Sequence, residues 1–334
     1  MKVVVLTTSY PSPEHPVAGN FVEAAVEGVR ARGVTVDVVS PSSFAHFGIA
    51  YGDGIAQNLR RAPWKLGFVP GFVAAYASAA RRAARDADLV HAHWIPSALA
   101  ARATGKPYVL QVWGTDVELA RRAPVLVRPL VRGARLVVAA SAYLAREAHA
   151  LGAGAVEVVP AGVAVPEHVG PPADPPHVLF AGRLSEEKGI LEFLDATEGL
   201  PRAVVGDGPL RDRVPEATGF VPPAEIAAHY ERAAVVCTPS RREGYGMVAR
   251  EAMAHARPVV ATRAGGLADL GAGAVLVEPD GLRDAIAGLL DDPARRELLG
   301  EKARETATTT FSIAAAADTL VATYRQALST IPRA

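Results

Sequence analysis

The chain has 334 residues, of which 50% are hydrophobic and 21% are charged, and its 35 basic and 35 acidic side chains give a formal net charge of zero. This length favours two domains of roughly 100–200 residues each, while the balanced charge provides no overall field to attract nucleic acid, so we expect no nucleic-acid partner. The single cysteine, Cys237, excludes a disulfide framework and a cysteine-based metal cluster, and its apolar surroundings at 234–239 predict a buried core residue.

The first half of the chain alternates short apolar runs with amphipathic stretches. The run at 3–6 is too short for a signal peptide and predicts a first β-strand. Further strands are predicted at 36–39, 88–93, 107–112, 135–140 and 156–162. Stretches between them, such as 20–32 and 73–85, have helical periodicity. No run reaches the ~18 apolar residues of a membrane-spanning helix, so we expect a cytoplasmic protein with at most peripheral contact at the inner face of a membrane.

A proline-rich stretch without periodicity, 163–177, is typical of a linker. Beyond it the alternation resumes, with strands predicted at 177–182, 202–206, 234–239, 258–262 and 274–279. Strands that alternate with helices form parallel sheets covered by helices on both faces. The sequence therefore predicts an α/β fold of two doubly wound, Rossmann-like domains that face each other across a cleft.

The linker sets the predicted domain boundaries. The N-terminal domain spans residues 1–163, the linker 164–176 and the C-terminal domain 177–311. A final helix lies within 312–334, with Ser312 as a candidate N-cap. Because no strand follows this helix, it is predicted to pack back on the first domain.

Three common motifs of nucleotide-binding proteins and hydrolases are absent. The chain has no P-loop sequence and no G-x-S-x-G nucleophile elbow. The nearest match to a dinucleotide-binding G-x-G-x-x-G begins at Gly206, but it lacks the third glycine and Pro209 removes a backbone donor. These absences argue against P-loop phosphoryl transfer, α/β-hydrolase chemistry and dinucleotide-dependent oxidation.

Ligands of doubly wound sheets bind beyond the carboxyl ends of the strands, so the loops there are the candidate site. The stretch 241–255 is one such loop and its following helix. Glu243 stands at the helix entrance, while Gly244 and Gly246 allow close backbone approach and the first helical amides suit anionic oxygens. Glu251, further along the helix, suits a vicinal diol such as that of ribose. The alternative interpretation is an N-cap glutamate followed by a solvated one.

Two cations follow another predicted strand. Arg183 and Lys188 precede a helix, and a bidentate guanidinium with an ammonium point charge suits a diphosphate. Two solvated surface charges are the alternative. In the first half, Gly19 precedes a predicted helix, and its amide is placed to meet the same phosphates; a plain N-terminal turn is equally compatible. Gly206 and Gly208 are interpreted mostly as structural turn glycines.

Together these motifs resemble family 4 glycosyltransferases, which have the GT-B fold. The resemblance rests on GRLSEEKG at 182–189, VVGDGPLR at 204–211, and the two glutamates separated by seven residues in EGYGMVARE at 243–251. The segments EAMAHARPVVAT, AGGLADL and VVPAGV add to it. The match covers nearly the whole second domain in order. It covers the first domain more loosely, through the opening loop and the HAHW and WGTD segments.

The resemblance implies a retaining, metal-independent transferase that moves a sugar from a UDP- or GDP-sugar to an acceptor, without a cofactor. It implies that the second domain binds the nucleotide sugar, with Arg183 and Lys188 on the diphosphate and Glu251 on the ribose hydroxyls. Glu243 and the following backbone contact the donor sugar, and Gly19 closes on the phosphates. The backbone residues concerned are Gly244, Tyr245, Gly246, Met247 and Val248.

The first domain is implied to hold the acceptor, with His93, Trp113 and Asp116 as candidate contacts. Similar enzymes often carry histidine where this chain has Trp113, so the identity of any acid/base group there stays open. Ala256 replaces a more usual glycine, and we expect only a small change at the helix end. A core histidine is the alternative for His93. A metal pair with His91 is disfavoured, because no acidic or thiol partner lies nearby.

The sequence leaves the acceptor undefined among sugars, lipid-linked molecules and small molecules. Residues 59–85 and 121–135 mix basic with apolar side chains, which suits an anionic membrane surface; ordinary solvated helices are the alternative. No carboxylate nucleophile and no D-x-D motif of the metal-dependent kind are evident, which favours attack on the face that the leaving group departs from. A nucleotide-sugar 2-epimerase and a non-catalytic sugar-nucleotide-binding module remain alternative functions.

Overall fold

The chain divides into two compact units. The computed structural model describes residues 1–51 and 54–329. Unit 1 comprises Met1–Gly162 together with Ala316–Ala334, and unit 2 comprises Val163–Ala315. Each unit contains its own parallel sheet.

Unit 1 is built on six parallel strands in the order β2-β1-β3-β4-β5-β6. The strands are β1 (Lys2–Leu6), β2 (Thr35–Val39), β3 (Leu89–His93), β4 (Tyr108–Val112), β5 (Leu136–Ala139) and β6 (Val156–Val158). Val5 lies opposite Val38 on one side and His91 on the other. All residues of β3 and β4 are buried, as expected of central strands with helices on both faces.

Within the described part of unit 1, seven helices connect these strands. They are α1 (Asn20–Arg30), α2 (Ile55–Arg61), α3 (Val69–Ala83), α4 (Ser97–Ala103), α5 (Thr115–Arg122), α6 (Pro124–Arg132) and α7 (Ala142–Ala150). A 3₁₀ turn at Pro63–Phe68 joins α2 to α3. Helix α3 begins before the predicted 73–85 because Pro70 lies in its first turn, where its missing amide costs no helical hydrogen bond.

Unit 2 is built on five parallel strands in the order β11-β10-β9-β7-β8. The strands are β7 (Val178–Ala181), β8 (Arg202–Val205), β9 (Val235–Thr238), β10 (Val259–Thr262) and β11 (Ala274–Val277). The helices are α8 (Ile190–Ala196), α9 (Pro223–Arg232), α10 (Met247–Ala254), α11 (Leu282–Asp291) and α12 (Pro293–Thr306). Cys237 lies in β9 with no exposed surface, as predicted. All eleven predicted strands are thus present, and the doubly wound α/β prediction is confirmed.

The last helix, α13 (Ile313–Ser329), packs on the core of unit 1. Ser312 caps it, because its Oγ accepts a hydrogen bond from the amide of Ala315 at 3.1 Å. Leu320, Val321 and Tyr324 are buried among the apolar residues of unit 1. The prediction that the final helix returns to the first domain is therefore confirmed. Among the described residues, no helix is long and apolar enough to cross a bilayer.

The end of α10 has a non-glycine residue in a left-handed conformation. Ala256 has a φ of 53°, and its amide donates to the carbonyl of Met253 at 3.0 Å. Glycine forms this type of helix end without strain. Alanine at position 256 therefore stores a backbone strain of about 1 kcal/mol or slightly more.

Replacement of Ala256 by glycine is expected to raise the free energy of unfolding by roughly 0.5–1 kcal/mol. The relief of left-handed strain is partly offset by the larger conformational entropy of glycine in the unfolded chain. Urea unfolding of wild type and A256G measures the difference, and a lower midpoint for A256G would contradict it.

Candidate active site

The candidate donor residues of unit 2 lie at the point where the strand order of the sheet reverses. β8 lies on one side of β7, and β9, β10 and β11 lie on the other. The connection from β7 to β8 therefore runs in one direction across the sheet, and the connections that follow run in the opposite direction. Ligands of doubly wound sheets bind at such switch points, outside the carboxyl ends of the strands. The loop after β7 contains Arg183 and Lys188, and the loop after β9 contains Glu243. The topology therefore brings both predicted segments to the same edge of the sheet.

Lys188 and Glu243 are in direct contact although 55 residues separate them in the sequence. The Lys188 Nζ donates to Glu243 Oε2 at 2.6 Å, and the side chains are 32% and 16% exposed. Ser240 Oγ lies 3.4 Å from the same carboxylate oxygen. The Glu243 carboxylate is thus the acceptor of the Lys188 ammonium, and a contact of this ammonium with a phosphate stays a prediction.

Arg183 follows β7 directly and its side chain is exposed. The neighbouring backbone is held tightly, because the amide of Leu184 donates to the carbonyl of Asp207 at 2.9 Å and Leu184 has no exposed surface. A Cβ on Gly208 would lie 2.6 Å from the carbonyl oxygen of Leu184, so the two loops pack backbone against backbone. This agrees with the structural interpretation of that glycine.

The start of α10 presents backbone rather than side chains. Its N-cap, Gly246, has a φ of 91° and provides no side-chain cap. A Cβ there would lie 2.6 Å from Leu267 Cδ2, so glycine is needed for space as well as for conformation. The first amides of a helix have no acceptor within the helix. The amides of Met247 and Val248 therefore suit an anionic oxygen, and the preceding Tyr245 is buried beneath the loop.

Arg250 is a buried residue of α10 that the sequence interpretation did not single out. Its side chain is 1% exposed, and its guanidinium lies 3.8 Å from the Tyr245 ring centre and 4.6 Å from that of Phe311. Its Nη1 donates to the Tyr245 carbonyl, and its Nη2 to the Gly266 carbonyl at 3.1 Å. These bonds tie the loop before α10 to the loop after β10. Arg250 therefore fixes the backbone that the helix start presents.

Glu251 is held by a tyrosine that the sequence did not single out. The Tyr230 hydroxyl, from α9, donates to Glu251 Oε2 at 2.7 Å. Burial raises the pKa of Glu251 above its ordinary value, and the hydrogen bond from Tyr230 opposes that shift. The hydrogen bond fixes the orientation of the carboxylate, and its contact with ribose hydroxyls stays a prediction.

Gly19 in unit 1 is the N-cap of α1 and has a φ of 63°. A Cβ at this position would lie 2.3 Å from the carbonyl oxygen of Ser9, so the turn after β1 depends on glycine. The conformation and packing of this turn are sufficient to explain why position 19 is a glycine. Its predicted contact with phosphate stays a prediction.

A cavity of about 460 Å³ opens at the carboxyl edge of the unit 1 sheet. It lies at the strand-order reversal of this sheet, between the segments that follow β1 and β3. Its polar lining comes from Thr8, Ser9, Thr115 and Asp116, and its apolar lining includes Tyr51, Ile55, Trp94, Ile95, Leu119 and Val127. None of the described residues that line it is basic.

Asp116 lines this cavity, but its carboxylate is hydrogen-bonded to backbone amides. It is 6% exposed, and its carboxylate accepts hydrogen bonds from the amides of Ile95, Trp113 and Gly114 at 3.0–3.1 Å. Burial raises its pKa, and these backbone bonds oppose the shift. Asp116 thus joins the loops after β3 and β4 and shapes the cavity wall.

His93 lies beneath Trp113 rather than on an open surface. It is 1% exposed, its Nδ1 lies 3.3 Å from the indole Nε1 of Trp113, and the two rings stack at 5.8 Å. The His91 Nδ1 lies 2.7 Å from the Tyr324 hydroxyl, and burial lowers the pKa of His91 to about 3. These contacts match the alternative of a hydrogen-bonded core histidine. A direct acceptor contact for His93 and Trp113 stays a prediction.

One D-x-D triplet, Asp86-Ala87-Asp88, went unrecognised in the sequence. It precedes β3, at the amino edge of the sheet, and both carboxylates contact Lys2 at 2.8 Å. The pKa of Asp86 is lowered by its hydrogen bond with the Lys2 ammonium. The triplet therefore ties the starts of β1 and β3 together. Within residues 1–51 and 54–329, no three His, Cys, Asp or Glu side chains are grouped for one metal ion.

Known proteins match both halves of the chain. Residues 18–165 match the family described as Glycosyltransferase Family 4, and residues 175–292 match Glycosyl transferases group 1. TuaC of Bacillus subtilis, a glycosyltransferase provisionally assigned to teichuronic acid biosynthesis, is 30% identical over 329 residues. That alignment covers 81% of this chain and 83% of TuaC.

Two solved structures resemble the whole chain. Sucrose-phosphate synthase from Thermosynechococcus elongatus has a TM-score of 0.79 at 20% identity, covering 99% of this chain and 100% of the synthase. HepE of Anabaena, in complex with UDP-glucose, has a TM-score of 0.72 at 20% identity, covering 98% of this chain and 100% of HepE. The family matches and the extent of the identity with TuaC confirm the prediction from the sequence motifs. The chain is a transferase enzyme with the two-domain GT-B fold, and it belongs to family 4 of the glycosyltransferases.

Proposed function

We propose that the protein transfers a hexosyl group from a nucleoside-diphosphate sugar to an acceptor hydroxyl, and that unit 2 binds the donor. The observation that carries this proposal is the contact of Lys188 with Glu243 at the switch point of the sheet, on the loops that lead into α8 and α10. A diphosphate there meets Lys188, Arg183 and helix-start amides together. The Lys188–Glu243 contact then exchanges its carboxylate for phosphate, which leaves Glu243 to accept a hydroxyl of the donor sugar.

The relatives support this donor class. HepE was solved with UDP-glucose bound, and TuaC is named as a glycosyltransferase. A uridine nucleotide is therefore the first donor to test. Neither comparison favours the epimerase or the non-catalytic binding module that the sequence left open.

The proposed chemistry needs stabilisation of charge on the leaving group. As the bond between the anomeric carbon and the phosphate oxygen breaks, negative charge develops on the diphosphate. Preorganised donors at that position lower the barrier directly. We propose that Arg183, Lys188 and the amides at 246–248 supply this stabilisation, without a metal ion or cofactor.

We further propose that configuration at the anomeric carbon is retained. The acceptor oxygen attacks the face that the diphosphate leaves, and its proton passes to a departing phosphate oxygen. In the proposed donor complex the Glu243 carboxylate accepts a hydroxyl of the donor sugar, and this hydrogen bond disfavours its attack on the anomeric carbon in a double displacement. Proton NMR of the first product tests the stereochemistry. An inverted product, or a covalent sugar–enzyme adduct detected by mass spectrometry, would contradict this route.

Glu251 predicts a pH dependence of donor binding. The ribose hydroxyls donate to the ionised carboxylate, and its pKa lies above the ordinary 4.5 because of burial. The KM for the donor is therefore expected to rise as pH falls toward that raised pKa. In Y230F, loss of the hydrogen bond that lowers the pKa should move the onset to higher pH. In E251Q, the KM should be roughly tenfold higher and independent of pH in this range.

Initial rates at saturating acceptor over a pH series measure this effect. E251Q is the matched control, since it removes the titrating group and keeps the size of the side chain. A wild-type KM that stays constant on acidification, or a Y230F onset at lower pH, would overturn the assignment of Glu251 to the ribose.

The donor class is tested by thermal-shift and calorimetric titration of the whole chain with UDP, GDP, ADP and their sugars. We expect one nucleoside diphosphate to bind, and release of that diphosphate from the matching sugar with chelator present. Binding of none of them, or turnover to an epimer without acceptor, would refute the proposal.

A further inference from the structure

An apolar surface of unit 1 remains outside the donor chemistry. Trp64 is 68% exposed, Leu66 58% and Phe68 45%, all within the 3₁₀ turn after α2. The Phe68 ring stacks on Phe47, itself 43% exposed, with 5.6 Å between ring centres. Trp64 meets Phe68 edge-on at 6.0 Å. These rings form one contiguous group, unlike the scattered apolar residues of an ordinary protein surface.

A second apolar segment lies at the start of α6. Val125 is 78% exposed and Leu126 77%. The second segment borders the cavity through Val127, and α2, the helix that leads into the first segment, borders the same cavity through Ile55. We call these two segments, 63–68 with Phe47 and 124–128, the rim of the cavity.

Basic side chains lie within and next to the rim. From Gly54 to Ala80 the only charged side chains in the sequence are Arg60, Arg61 and Lys65, all of them basic. Arg128 lies two residues after the exposed Leu126, whereas Arg121 and Arg122, before Val125, are ion-paired with Glu147 at 3.3 Å and with Glu118 at 3.6 Å. Lys65 itself lies over the Trp64 ring, with its Nζ 5.7 Å from the ring centre. The rim is therefore locally cationic although the whole chain has no net charge.

We propose that the rim docks on an anionic lipid bilayer, and that the cavity receives its ligand from that surface. A bilayer with anionic headgroups satisfies both properties of the rim, because the headgroups attract arginine and lysine while the interfacial layer accepts tryptophan, phenylalanine and leucine. The lining of the cavity is mainly apolar, and none of the described residues in it is basic. The cavity therefore suits an uncharged or apolar group. The acceptor is then a membrane-held amphiphile. This last step depends on the proposed function, whereas the membrane contact does not.

Vesicle flotation tests the docking surface with matched variants. The full chain is mixed with vesicles of phosphatidylcholine alone or with added phosphatidylglycerol. We expect binding to the anionic vesicles that weakens with salt. L126S should lower the partition coefficient about tenfold and W64S at least as much, and R128Q about fivefold. L298S and R295Q change exposed residues of unit 2 in the same way and should bind like wild type.

The outcomes separate the membrane contact from the transferase function. Absence of flotation, equal binding to neutral vesicles, or equal loss in L298S and L126S would overturn the docking surface. Saturable binding of the rim to a protein instead of vesicles would overturn it as well.

Release of nucleoside diphosphate from the donor without acceptor should be unchanged in L126S. A chain that floats but turns over no donor would contradict the proposed function alone, and a chain that turns over donor without floating would contradict the membrane contact alone.

Discussion

Replacement of Arg183 or Lys188 by alanine is expected to lower kcat by a factor on the order of 10²–10³ with the fold retained. Each variant removes positive charge from the position where the leaving diphosphate gains negative charge. Arg183 is exposed and Lys188 is 32% exposed, so neither loss should change the free energy of unfolding by more than about 1 kcal/mol. Release of nucleoside diphosphate under saturating donor, alongside urea unfolding, measures both quantities.

Two exposed cations of α12 provide controls for this experiment. R295A and K302A remove the same kinds of charge from unit 2 without touching the strand-end loops, and should keep wild-type kcat. Near-normal kcat in R183A or K188A would refute the role assigned to that residue. In K188A the Glu243 carboxylate also loses its partner, so the K188A/E243Q double variant should show a smaller loss than the sum of the single effects.

Loss of Arg250 is expected to be the most destabilising single change in unit 2. In R250A, the carbonyls of Tyr245 and Gly266 lose a buried donor, and the space between the Tyr245 and Phe311 rings is left empty. Removing one partner from a buried charged network typically costs about 3–5 kcal/mol. Urea unfolding of R250A against wild type measures this cost, with R295A as the control for an exposed arginine.

The role of Arg250 in positioning the loop has a separate readout. R250M keeps much of the side-chain volume but donates no hydrogen bonds. The backbone before the helix start at 246–248 therefore loses the hydrogen bonds that hold it in position. We expect the KM for the donor to rise and kcat to fall even at temperatures where R250M is fully folded, with partial recovery in R250K. An R250M variant with wild-type kinetics and an unchanged urea midpoint would contradict this role.

The fold was accessible from the sequence because its strands are buried on both faces. Such strands appear as continuous apolar runs, as at 3–6 and 234–239, and the proline-rich stretch separates the two sets. Ser312 was identifiable as a cap because a hydroxyl immediately before a helical pattern satisfies an otherwise unpaired amide. The extension of α3 to Val69 was missed, because Pro70 and Gly71 disrupt the apolar periodicity in its first turn.

Only part of the candidate site could be predicted from the sequence, because some of its contacts are made by backbone groups. Placing Lys188 near Glu243 needed only the rule that parallel strands end at a common edge. The partners of Arg250, in contrast, are backbone carbonyls of a loop 16 residues away, and carbonyls leave no trace in the sequence. One signal was available: Arg250 stands three residues before Met253 and four before Ala254, on the buried face of α10, where a solvated arginine is out of place.

The most direct measurement is a crystal structure of the chain with its nucleoside diphosphate. We expect diphosphate oxygens within hydrogen-bond distance of Lys188, Arg183 and the amides at 246–248, with the Lys188 ammonium released from Glu243 at least in part. A diphosphate bound elsewhere on the chain, with the 2.6 Å contact between Lys188 and Glu243 unchanged, would contradict it.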